Sequence, residues 1–322
     1  MVPVCGAGKT LVVKMATLAP DGSPWHEILV EMGQQWYEVT GGEVQLRIYP
    51  GGVAGDERHM IRKIRIGQIH AAAVTVEGLT EISRDMNVFF IPLLVSSFEE
   101  LDALRDEMEP QLLSELERNG FKLLSWADVG WAYWFTREPI RTPQDLMDLR
   151  IFSWAGDYRW TELWKLGGFQ PVSLASIDVL PSLQTGLVDA FATAPIVALS
   201  MQWFALAPYM LKLKWGPLIG AVIIGKKTWD AIPAEYHPDL LEIAKHTEDR
   251  ARSLLPQARK ALDAMQAHGL EIHIPSQEER DTWLRFTRSF YPHLRGNLIP
   301  EGIFDRAIEL QKQLSVQKDQ DN

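Results

Sequence analysis

The run Pro143-Gln144-Asp145-Leu146-Met147-Asp148-Leu149-Arg150-Ile151-Phe152 leads into Gly167-Gly168-Phe169-Gln170-Pro171-Val172 and then into Leu183-Gln184-Thr185-Gly186-Leu187-Val188-Asp189. Its punctuation alternates strand with helix. Arg150 to Phe152 reads as a strand, and Asp157 to Leu166 as a helix ended by Gly167 and Gly168, because glycine readily takes the backbone conformation that stops a helix. Ile177 to Thr185 reads as a further helix and Ala190 to Ala192 as the next strand. Such alternation points to α/β architecture.

The flanking sequence keeps this rhythm. Leu11 to Ala16 reads as a strand; Ser23 then caps a helix with Pro24 in its first turn and Ile28, Leu29, Met32 and Trp36 on its buried face. Val44 to Ile48 alternates as a strand, Asp56 to Ile66 reads as a helix, and Ala71 to Val76 as an apolar strand. Glu99 to Asn119 suggests two short helices, and Lys122 to Trp126, Trp131 to Thr136 and Leu218 to Ile224 suggest strands. Pro233 to His268, Ser276 to Tyr291 and Pro300 to Gln317 read as helical.

Composition narrows the classes. With 322 residues, 46% of them hydrophobic, the chain can bury two ordinary cores. A formal net charge of −10 argues against nucleic acid and anionic membranes as partners, since both require clustered Lys and Arg. The single cysteine, Cys5, excludes an internal disulfide and is expected to be a remnant near a processing site. Met1-Val2-Pro3-Val4 lacks the basic and long apolar regions of a signal peptide, so the expectation is a chain trimmed of its signal. Ala190 to Leu211 runs 22 positions without a charge, but Pro195 and Pro208 cut it below bilayer length. Within it Ile196, Leu199, Trp203 and Leu206 have the spacing of a packed helix. Gly6-Ala7-Gly8-Lys9-Thr10 imitates a phosphate loop, yet Pro3 stands where the first glycine is required.

Further landmarks are Ala19-Pro20-Asp21-Gly22-Ser23-Pro24-Trp25-His26, Ile48-Tyr49-Pro50-Gly51-Gly52, and Gly55-Asp56-Glu57-Arg58 opening a helix that closes at Ile66-Gly67. Gly225-Lys226-Lys227-Thr228-Trp229-Asp230-Ala231-Ile232-Pro233 is another. With the opening run, these make the chain from Val12 to about Leu314 resemble the solute-binding proteins of tripartite ATP-independent periplasmic (TRAP) transporters, the DctP-type family. The resemblance implies a two-lobed periplasmic-binding-protein fold of α/β class, with crossing hinge strands and a cleft between lobes. It assigns residues 1–129 and 219–255 to lobe I, and 130–218 and 256–322 to lobe II. It also implies a periplasmic receptor that needs no cofactor and hands a small-molecule ligand to TRAP membrane permease subunits. Either a monomer or a homodimer is expected, the latter through Ser276 to Gln317.

The resemblance also exposes a departure. The family's ligand-clamping arginine aligns with Phe152, a second arginine position after Gly130-Trp131 holds Ala132, and a polar run aligns approximately with Ala192-Thr193-Ala194-Pro195. A carboxylate buried without a cation is strongly disfavoured, so the expected ligand is neutral or hydrophobic. Aromatic residues stand at or beside these places: Trp131, Trp134, Phe152, Trp154, Phe191 and Trp215, in a chain with twelve tryptophans. Such rings receive apolar or planar groups, or cations on their faces. Ala194, and Trp25 in the opening stretch, join the expected ligand-binding set. Glu77, directly after the strand ending at Val76, is expected in a loop facing the cleft, with a solvated turn carboxylate as the plainer reading. Arg150 precedes Phe152 by two and shares its side of a strand, so it reaches the cleft if the register slips. The alternative is a carboxylate held by Arg150, by a main-chain nest, or by a metal between Glu77 and Asp157. A hydrolytic enzyme is the third class, against which stands the lack of a Gly-x-Ser-x-Gly elbow, a His-x-x-x-His pair or a dinucleotide loop.

Overall fold

Two long antiparallel strands, β4 (Phe121–Thr136) and β8 (Tyr209–Gly225), run side by side through the middle of the molecule and link its two halves. The computed structural model describes residues 10–320. Cys5 and the decoy glycine segment up to Lys9 lie outside the described residues. The remaining strands are β1 (Leu11–Thr17), β2 (Val44–Tyr49), β3 (Ala71–Thr75), β5 (Arg150–Trp154), β6 (Gln170–Leu174), β7 (Ala190–Thr193) and β9 (Glu271–His273). They form one sheet in the order β2-β1-β3-β8-β4-β7-β5-β6, with β9 added to β8.

Lys122–Trp126 and Trp131–Thr136 are parts of one strand, and Leu218–Ile224 is only the end of another. Register shifts between Leu123 and Ser125, Asp128 and Gly130, and Ala132 and Trp134 bend β4 without stopping its pairing. A bulge inserts unpaired backbone and increases twist while the ladder continues on either side. Gly130, with φ +131°, sits at the middle bend, where a side chain would be strained. The residues beyond Ala132 then pair with β7 and carry the sheet into the second lobe.

The span Glu99–Asn119 is likewise a single helix, Phe98–Arg118, despite Pro110 inside it. Its buried Leu101, Leu104, Met108, Leu112 and Leu116 outweigh the lost backbone bond. The uncharged stretch after β7 does the reverse. Gln202 takes φ 58° and separates helix Pro195–Ser200 from the 3₁₀ turn Trp203–Leu206, so the expected continuous helix is broken there. No helix among the described residues is long and apolar enough to cross a membrane.

The C-terminal region expected in lobe II, 256–322, packs against both halves of the molecule. Helix Gln257–Ala267 sends Met265 into the core of Phe135, Phe191 and Trp203, and Trp283 of helix Gln277–Ser289 joins Trp134 and Leu146. Leu294, Ile299, Ile303 and Phe304 instead share a core with Met86, Phe89 and Leu104 of the first lobe. The apolar face of helix Glu301–Gln320 thus returns to helix Phe98–Arg118. After β4, β8 and the passage from Leu240 and Ala244 in the first-lobe core to Met265 in the second, this is the chain's fourth crossing between the lobes.

Candidate functional site

Between the lobes lies a cavity of about 310 Å³. The first lobe's side contains a network of buried charge built on two helix starts. Asp56 caps helix Glu57–Arg65 by accepting from the Glu57 amide at 3.1 Å. Glu57 itself reaches the end of β3, accepting from the Thr75 amide and hydroxyl, each at 2.8 Å, and from the Gly78 amide at 2.9 Å. That knot fixes the short helix Val76–Thr80 and with it Glu77. Gly78 is required by the close approach: a Cβ there would stand 2.9 Å from Val74 Cβ and 3.1 Å from Glu57 Cβ.

Glu77 is only 1% exposed. Its Oε1 accepts from Arg58 Nε at 2.7 Å, while the other guanidinium nitrogens reach Glu81 at 2.9 Å, the Thr80 hydroxyl at 3.1 Å and Asp157 at 3.5 Å. Burial, followed by the neighbouring Asp157 charge, pushes the Glu77 carboxyl up to about 8 despite Arg58. Burial likewise pushes Glu57 up to about 7, opposed by its bonds to Thr75. Asp157 is also raised by burial. Glu57 and Glu77 thus hold protons that ordinary carboxylates have released.

Two contacts of this network cross the cleft. Arg58 meets Asp157, and Asp56 accepts from the Ser176 amide at 3.2 Å and its hydroxyl at 3.3 Å. Asp157 is the N-cap of helix Tyr158–Leu166, accepting from the Trp160 amide at 3.3 Å. The structure is therefore closed across the cleft by polar contacts between the lobes.

The second lobe supplies rings. Phe152 and Trp154, alternate residues of β5, meet edge to face at 5.2 Å, and Phe152 meets Trp203 at 6.5 Å. Trp134 contacts Trp215 at 5.6 Å and Trp164 at 5.9 Å, and Trp164 stacks on Trp215 at 6.0 Å. Trp215 lies where β8 slips register against β4 between Ala132 and Trp134. A side chain in such a slip is released from regular alternation.

Of the residues expected from sequence, Trp25, Glu77, Trp134, Phe152, Trp154 and Trp215 line the cavity. Trp131, Phe191, Ala194 and Arg150 do not. The alternation of β7 accounts for Phe191: Ala192 and its partner Trp134 face the cavity, whereas Phe191 stacks on its partner Phe135 at 5.3 Å within the second-lobe core. Trp131 packs on Phe98 at 5.4 Å with Lys214 Nζ 4.7 Å over its ring. Ala194 is fully buried before helix Pro195–Ser200. Arg150 lies at the start of β5, where Asp189 takes its Nε at 2.7 Å and its Nη2 at 3.0 Å, so no slip brings it to the cleft. Glu77 occupies the first turn of a helix, and the solvated-turn reading is corrected by its burial.

Sequence reasoning passed over several cavity residues, including Glu57, Phe90, Trp160, Trp164 and Trp203. Asp56, Glu57 and Arg58 were visible as a helix start, but their link to Glu77 joins positions about twenty residues apart. No group of three or more His, Cys, Asp or Glu side chains suited to a metal ion occurs among the described residues.

Residues 15–295 match the model of bacterial extracellular solute-binding protein, family 7. The chain is 24% identical over 277 residues to the C4-dicarboxylate-binding periplasmic protein DctP of Rhodobacter capsulatus, covering 85% of this chain and 83% of that one. It is 25% identical over 240 residues to the 2,3-diketo-L-gulonate-binding periplasmic protein YiaO of Escherichia coli strain K12, covering 73% and 72%. Among solved structures, the sugar acid binding protein DctPAm of Advenella mimigardefordensis, in complex with galactonate, superposes with a TM-score of 0.87 at 16% identity, covering 95% of this chain and 99% of the other. A TRAP periplasmic solute-binding protein of Shewanella oneidensis with bound succinate gives 0.86 at 15%, covering 94% and 99%. These structural likenesses establish a shared fold.

Proposed function

Because this chain belongs to the bacterial extracellular solute-binding proteins of family 7, a family of TRAP-type periplasmic receptors rather than enzymes, we propose that it captures a small molecule with a largely apolar body in the interlobe cavity and delivers it to a membrane permease. The ligand-contacting residues in this reading are Phe152, Trp154, Trp134, Trp215 and Trp25, with Glu77 orienting a polar end. The observation that carries it is the cavity lining: it is rich in aromatic rings and, among the described residues, holds no arginine, lysine or histidine. A buried carboxylate ligand would meet Glu57, Glu77 and Asp157 with no free cation opposite. Lobe closure over the ligand would present the permease with a surface that the open form lacks.

The relatives named above favour a second reading, in which a dicarboxylate or sugar acid is held by non-standard contacts. Tryptophan fluorescence titration separates the two, since several tryptophans line the cavity. Succinate, pyruvate and galactonate are expected to give no saturable change at millimolar concentration. Mass spectrometry of compounds released on denaturing freshly purified protein is expected to yield a compound without a carboxylate. Saturable binding of any of these acids, or release of an organic acid carried by the native complex, would overturn the apolar reading.

A further inference from the structure

The charge on the cavity wall narrows the ligand class further. Three carboxylates line the cavity, Glu57, Glu77 and Asp157. Glu57 has both oxygens occupied by Thr75 and Gly78. Glu77 gives Oε1 to Arg58, and its Oε2 accepts no hydrogen bond among the described residues. The nearby cations are committed elsewhere as well: Arg58 is divided among Glu77, Glu81, Thr80 and Asp157, and Arg62 and Arg65 pair with Glu81. One shared guanidinium behind the wall thus faces three acids on it.

Aromatic residues stand close along the chain to one of these acids, Asp157, and line the same cavity as the other two. Asp157 donates its amide to the Trp154 carbonyl at 3.2 Å and caps the helix carrying Trp160. Phe152 lies at interplanar angles of 60° to Trp154 and 61° to Trp203, so the three rings form a corner rather than a flat slab. A cation with apolar substituents satisfies both features, since its charge is attracted to carboxylates and ring faces and its alkyl surface leaves water. An anion satisfies neither. A neutral ligand uses the rings but draws no charge attraction from the acids, whereas a cation also favours their ionised form.

Building on the apolar reading above, we propose that the ligand is an organic cation, a quaternary or fully substituted amine, seated against Phe152, Trp154 and Trp203 with Glu77 and Asp157 as its counter-charges. Its test uses two probes of nearly identical shape, choline and its uncharged carbon isostere 3,3-dimethylbutan-1-ol, with succinate as the anionic control. Fluorescence titration at pH 8 is expected to give saturable choline binding at least tenfold tighter than that of the alcohol. Glu77→Gln is expected to abolish most of that tenfold preference, read as the ratio of the two affinities in the variant. Should that variant misfold, the wild-type comparison alone decides. Equal binding of the two isosteres, or no saturable choline binding at millimolar concentration, overturns the cation. Equal binding leaves the apolar reading standing, whereas succinate binding removes both.

Discussion

The two walls of the cavity are built on opposite principles. The first lobe presents charge locked by directional bonds, where Glu57 holds the Thr75–Gly78 turn and Arg58 spans Glu77 and Glu81. The second lobe presents rings that touch one another edge to face, with few hydrogen bonds to fix them. A charged network is intolerant of losing one member, because each remaining buried charge is then unpaired. A ring wall is more forgiving in stability, but a change of chemistry on it alters what it admits. Electrostatic position thus comes from one lobe and ligand shape from the other. Asp157, brought by the second lobe to Arg58, is where they meet.

Removing Arg58 is the single substitution that most strongly breaks this contrast. Arg58→Met leaves Glu77 and Asp157 buried without their partner, and the expected loss of unfolding free energy is about 3–5 kcal/mol, measured by urea denaturation. A loss below about 1 kcal/mol, the scale of surface pairs, would make the network a surface feature.

The second prediction follows from pH. Glu57 and Glu77 keep protons in the folded state up to about 7 and about 8, against an ordinary value of 4.5. Between pH 4.5 and 8 the folded protein therefore binds more protons than the unfolded chain, and stability falls as pH rises. The groups around Glu77 that set this are Arg58, Asp157 and Glu57. The ligand-free protein is expected to lose several kcal/mol of stability, on the order of 6, between pH 5 and pH 8.5, and Glu77→Gln is expected to flatten part of that slope. A thermal midpoint that rises over this range would contradict the buried-acid network.

Phe152→Arg sharpens the comparison from the other wall. A guanidinium placed against Trp154 and Trp203 is expected to lower affinity for the natural ligand at least tenfold, or about 1.4 kcal/mol, and to reduce stability by a smaller amount. Isothermal calorimetry with the compound released from the wild-type protein reads the effect. Unchanged affinity would mean that Phe152 does not touch the ligand.

How much of this was legible can be judged residue by residue. Ser23 before Pro24 fixed a helix start, and Ile28, Leu29, Met32 and Trp36 identified its buried face, because caps and periodicity are local. Phe152, Trp134 and Trp215 could be placed at the cavity through the resemblance, which supplies long-range neighbours indirectly. Phe191 could not be told from Trp134, since the side a strand residue faces depends on register with its partner. Arg150 could be read as reaching the cleft by a slipped register because Asp189, which holds it, is distant in sequence. The continuity of β4 was hidden for a related reason: bulges at Asp128–Gly130 look like a strand ending in sequence, yet the partner strand bridges them.

The sequence by itself determined the α/β class and the alternation of elements, which follow from local preference, and, through the resemblance of its motifs, the family and the aromatic character of the second lobe. Only the tertiary structure decided that Glu57 and Glu77 are buried and proton-retaining, that Arg58 is shared among carboxylates, and that the last helix returns to the first lobe. Burial and pairing are properties of neighbours brought together across tens to hundreds of residues, and a carboxylate's charge state is set by those neighbours rather than by its own place in the chain.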